Sequence, residues 1–74
     1  MVSKGSWFEV WADDGLKPPY LLLVCPDPVE TSKVAICDPK DGYRVIHCAE
    51  NYDSIKLWLL EDEYTLVDGR MYIE

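Results

Sequence analysis

Hydrophobic and polar positions alternate with a period of two from Trp7 to Ala12, WFEVWA, which predicts a strand. Phe8, Val10 and Ala12 fall on one face; Trp7, Glu9 and Trp11 fall on the other, where Glu9 marks a partly wet surface. Paired prolines at 18 and 19 make the next stretch a loop, because proline cannot donate ladder hydrogen bonds. Tyr20 to Cys25, YLLLVC, is apolar throughout and too short for a helix, so it reads as a strand covered on both faces. Val34 to Asp38 and Tyr43 to Ala49 form a hairpin across Pro39-Lys40-Asp41-Gly42, with Gly42 supplying the left-handed residue of a four-residue loop. That loop pairs Asp38 with Tyr43, Ile36 with Val45 and Val34 with His47.

The period changes between Asn51 and Leu60. Ile55, Trp58 and Leu59 lie on one helical stripe, Asp53 suits an N-cap and Tyr52 can staple onto Leu57, so a short helix is expected near 53–60. A strand with Ile55, Leu57 and Leu59 on one face competes with it. YTLVDGRMYI, 64 to 73, reads as a last hairpin turning at Asp68-Gly69, a favoured type I′ pair. The expected fold is therefore mainly β, or α+β by its single helix: a small antiparallel sheet or barrel of about five to six strands. Strand number, length and a helical turn late in the chain resemble the Src-homology-3-like (SH3-like) small barrels, a resemblance of architecture.

Composition adjusts this picture in four ways. The 74 residues, 49% of them hydrophobic, suffice for a single small domain, 1–74, whose core must use nearly every large apolar side chain. Fourteen acids against seven bases give a formal charge of −7, and the bases are scattered singly, which opposes direct binding to nucleic acid or to an anionic membrane. The longest apolar run is far below the roughly 18 to 20 residues of a membrane span, and the N-terminal MVSKGSWFEV has no secretion-signal pattern. A cytoplasmic location follows as the expectation. Cys25, Cys37 and Cys48 are odd in number and lack metal or disulfide spacing, so they read as small buried apolar residues.

Chemistry-bearing motifs are sparse. His47 and Cys48 are strand neighbours and point to opposite faces, which opposes a thiol and base pair, although Cys25 could reach His47 through the fold. The carboxylates lack calcium-loop spacing and the glycines sit singly at turns. No catalytic residue, metal or cofactor is expected. Trp7, Glu9 and Trp11 together suit a surface that stacks on proline or arginine of a basic or proline-rich peptide, with Tyr20 and Tyr72 as further walls. The competing reading covers both indoles with the helix or another layer. Glu61, Asp62 and Glu63 sit where acids oppose the helix dipole, a local violation that can mark a docking corner for a cationic partner.

The function expected is a non-enzymatic protein-binding or accessory module with an aromatic and acidic surface. An acidic mimic that occupies a basic nucleic-acid-binding cleft is the first alternative, and a small Cys/His enzyme is the second. A homodimer through an edge strand such as Trp7 to Ala12 is compatible with the pattern.

Overall fold

The computed structural model describes residues 6–73; the N-terminal lead-in read for a secretion signal lies outside them. Five strands form one antiparallel sheet in the order β4-β3-β2-β1-β5, with β1 Ser6–Asp13, β2 Tyr20–Pro26, β3 Val34–Asp38, β4 Arg44–Ala49 and β5 Thr65–Ile73. A single helix, α1 Tyr52–Glu61, crosses from β4 to β5. The protein is mainly β, and its radius of gyration, 12.0 Å, is that of a packed small domain. The sheet is open: β4 and β5 are its free edges, so the closed-barrel alternative is not realised.

Pairing of β1 with β2 sets Trp11 opposite Leu22 and Glu9 opposite Val24, and β3 continues the row with Ile36 opposite Val24. These positions form the inner face, where Trp11, Leu22, Val24, Val34 and Ile36 meet Ile55 and Leu59 of α1. The helix exists because those two residues, four apart, bury completely, with Tyr52 and Trp58 half-buried beside them and the remaining positions facing water. The competing strand reading of this segment fails because Leu57 is exposed and Ile55 buries with Leu59 through helical spacing. Its N-cap is Asn51, whose side chain accepts from the Ser54 amide at 2.9 Å; Asp53, expected there, lies in the first turn.

Three expectations of register are corrected. Tyr43 joins Gly42 in the left-handed region, so the turn is one residue longer and Asp38 pairs with Arg44. Cys37 then pairs with Val45, Ile46 is extruded as a bulge, and Ile36 meets His47. Second, Asp68-Gly69 does not reverse the chain. Both residues have positive φ, 60° and 79°, as a type I′ pair requires, yet β5 runs straight through them alongside β1. Thr65 to Val67 pair with Ala12 to Val10 and Met71 to Ile73 with Phe8 to Ser6. Two short arms folded on each other would form only a marginal ribbon, whereas β1 offers both arms one long, already packed partner. Third, β1 is interior, flanked by β2 and β5, and is not an edge available for pairing with a second copy.

Candidate functional site

The bulge at 68–70 determines the most chemically elaborate corner of the molecule. Between the paired positions Phe8–Met71 and Val10–Val67, Glu9 alone faces Asp68, Gly69 and Arg70, and the extra length turns Arg70 onto the inner face. There the carboxylate of Glu9 collects three donors. Its Oε1 accepts from Trp11 Nε1 at 3.0 Å and from the Tyr52 hydroxyl at 2.7 Å, and its Oε2 accepts from Arg70 Nε at 2.9 Å. The Arg70 guanidinium lies 3.7 Å from the centroid of Trp7 and 4.8 Å from that of Tyr52, whose rings meet edge to face at 6.0 Å. Burial, reinforced by the hydrogen bond to Glu9, pushes the Tyr52 hydroxyl up to about 12.

The candidate residues of the first strand are thus brought together, but inside. Glu9 is 3% exposed and Trp11 2%, and Trp7 is half-buried beneath Arg70. An open groove walled by Trp7, Glu9 and Trp11 does not exist, because Tyr52 of α1 and the Arg70 side chain from β5 close over them. Of the additional walls, Tyr20 donates to Asp38 at 2.6 Å with Lys40 above its ring, and Tyr72 stands exposed on β5.

Glu61, Asp62 and Glu63 are exposed, and the helix exit explains their arrangement. The Tyr64 amide donates to the Leu59 carbonyl at 2.9 Å and the Glu63 amide to that of Leu60 at 3.1 Å, the paired bonds of a Schellman motif. Glu63 takes the left-handed position, φ 65°, that glycine usually fills. Trp58, Glu61 and Asp62 line a shallow depression of about 220 Å³, and Trp58 stacks on His47 with centroids 4.9 Å apart.

That stack fixes His47 on the inner face, opposite Ile36. Cys25 and Cys48 both align with Ala35, and Cys37 lies two residues along the same strand, so all three thiols occupy the outer face. The thickness of the sheet separates each of them from His47, and no thiol and base pair forms. The Cys25 and Cys37 sulfurs are 3.9 Å apart, and burial together with that neighbouring thiol pushes Cys25 up to about 12. Cys48, exposed and not buried as expected, donates to Asp27 at 3.1 Å, which holds its thiol proton and pushes its pKa up. Among the described residues, no group of three or more His, Cys, Asp or Glu is placed to hold a metal ion.

The outer face itself was missed by sequence reasoning. It carries Phe8, Val10 and Ala12 of β1, Leu21, Leu23 and Cys25 of β2, Ala35 and Cys37 of β3, Val45 and Cys48 of β4, and Val67 and Met71 of β5. None of these positions is charged, and among the described residues no helix or second sheet layer packs over them, although Ala12, Ala35 and Cys37 are buried among their neighbours. Leu21, Val67 and Met71 stand 43%, 45% and 50% exposed. An antiparallel sheet with one solvated face normally alternates apolar with polar positions. The signal lies in YLLLVC, expected as a strand covered on both faces, and in VAIC of the middle hairpin, likewise apolar at both parities.

No protein-family model, curated protein or solved structure matches the chain. Function is therefore argued from these surfaces alone. Among the described residues no helix is long and apolar enough to cross a membrane.

Proposed function

We propose that this chain is a non-enzymatic protein-binding module whose outer sheet face docks a partner bearing an apolar patch bordered by lysine or arginine. The observation that carries the reading is the uncharged outer face, which no helix or second sheet layer covers among the described residues and on which Leu21, Val45, Val67 and Met71 stand exposed. Apolar side chains gathered on one face are costly to leave in water and usually belong to an interface. Charge selects the partner. Asp27, bound to Cys48 of the face, borders it, and the chain as a whole carries −7. Three of the cations are engaged within the fold: Lys33 with Glu50, Arg44 with Asp41 and Arg70 with Glu9. A second copy brings the same −7 and is opposed by it, whereas a cationic partner gains from it.

The test is photo-crosslinking from a benzoylphenylalanine placed at Met71, in native lysate, with and without Leu21→Glu and Val67→Glu together. The expected result is one recurrent adduct with a basic protein, abolished by the double variant. It should also weaken as salt rises from about 50 to about 300 mM, which shortens the screening length from roughly 14 to roughly 6 Å. An adduct indifferent to the double variant, or one formed only with a second copy, overturns the proposal.

A further inference from the structure

Arg70 occupies a site whose walls belong to other elements. Trp7 and Glu9 come from β1 and Tyr52 from the first turn of α1, and both elements are anchored in the core through Trp11, Ile55 and Leu59. Arg70 comes from β5, a free edge, at the one place where its ladder to β1 is interrupted. Edge segments at a break in pairing open locally at lower cost than the central strands. The walls therefore persist in conformations in which the occupant has left.

The walls have the chemistry of a guanidinium receptor. An indole face 3.7 Å from the guanidinium carbon, a phenol ring at 4.8 Å and a carboxylate oxygen at 2.9 Å together supply stacking, quadrupole attraction and a charged acceptor. Glu9 is costly to leave without a cation: its side chain is 4% exposed, so the departure of Arg70 leaves a buried carboxylate that an incoming guanidinium would compensate. The Arg70 side chain is 29% exposed, so the mouth of the site opens to solvent.

We propose that Trp7, Glu9 and Tyr52 form a binding site for an arginine side chain of another protein, kept filled in this structure by Arg70 acting as a built-in plug. The site lies on the opposite side of the sheet from the face proposed above and does not rest on that reading. A planar, weakly hydrated guanidinium fits between the two rings; a compact ammonium forgoes the stacking. Because the plug competes at very high local concentration, the wild-type chain takes an external guanidinium only in the fraction of molecules in which Arg70 is out.

Ethylguanidinium is the probe, titrated at constant ionic strength into Arg70→Ala, into wild type and into the double variant Glu9→Gln with Arg70→Ala, and followed by tryptophan fluorescence and thermal unfolding. For Arg70→Ala the expected result is saturable binding with a rise in Tm, at least about tenfold tighter than for ethylammonium. Binding to wild type should be at least about a hundredfold weaker, and the double variant should show none. Should Arg70→Ala be unfolded alone, ethylguanidinium restores its near-ultraviolet dichroism, and Arg70→Met, which keeps the apolar stem, provides a second folded host. A folded variant with no saturable binding, an unfolded one that sodium chloride rescues equally well, or wild type binding as tightly as Arg70→Ala overturns the proposal and leaves Arg70 a structural pin.

Discussion

Replacing Glu63 by glycine should make the protein more stable, although it removes a side chain and adds backbone freedom. Glu63 closes α1 in the left-handed region at φ 65°. For a residue with a Cβ that conformation costs about 1 to 2 kcal/mol, which glycine does not incur. The carboxylate also sits at the negative end of the helix dipole, worth a further 0.3 to 1 kcal/mol or about that at low salt. Against these stands the greater freedom of glycine in the unfolded chain, about 0.5 to 1 kcal/mol. The balance is a gain of about 1 kcal/mol, or roughly 4 to 8 °C in Tm for a domain of this size. The assay is urea unfolding of Glu63→Gly, Glu63→Ala and Glu63→Gln at low and high salt. Gln isolates the charge and should gain a few tenths of a kcal/mol that salt erases. Gly should exceed Ala by about 1 kcal/mol at every salt concentration. If Gly proves no more stable than Ala, the strain at this position is not there and the account of the helix exit fails.

Three further outcomes follow from the same geometry. Tyr52, normally titrating at 10.0, is held up to about 12 by the fold, so its contribution is complete below pH 10 and is lost as pH rises toward 12; urea midpoints across that window should fall more steeply for wild type than for Tyr52→Phe, and equal slopes would contradict the Glu9 network. Thiol alkylation near pH 8 should modify exposed Cys48 first, while half-buried Cys25, whose thiol burial and Cys37 push up, reacts far more slowly and buried Cys37 reacts only on unfolding; three equal rates would refute this order of exposure. Ile55→Ala, emptying a fully buried site between α1 and the sheet, should cost about 2 to 5 kcal/mol in urea unfolding, and a loss below about 1 kcal/mol would show that α1 is not seated there.

Local conformation was more legible in the chain than its use. Asp68-Gly69 has the left-handed pair that its residue types demand, but whether such a pair reverses a chain or kinks a strand depends on a distant partner, here β1. Ile55 and Leu59 announced the helix because their spacing is satisfied within ten residues. The register of β3 and β4 was lost to Tyr43, an aromatic residue in a conformation that few side chains adopt and that no propensity foretells. At the candidate site, Trp7 and Glu9 were read as partners for a cationic side chain, and that chemistry is present. The arginine meeting them lies 61 residues further along the same chain, a juxtaposition that only the bulge creates. The outer face escaped notice because an apolar run cannot by itself say which of its two sides will be covered.

The place of β1 at the heart of the sheet has a consequence for how the protein is made. β1 leaves the ribosome well before β5, its partner along most of its length, so the earlier strand must wait for the later one. At ordinary synthesis rates the wait is on the order of several seconds, during which one side of β1 is a bare, tryptophan-rich edge and the Glu9 carboxylate lacks its cation. The meander of β1 to β4 can assemble meanwhile, but its inner face stays open until α1 and β5 arrive. The nascent chain is therefore at its most adhesive just before β5 emerges, when a holdase has most to offer it.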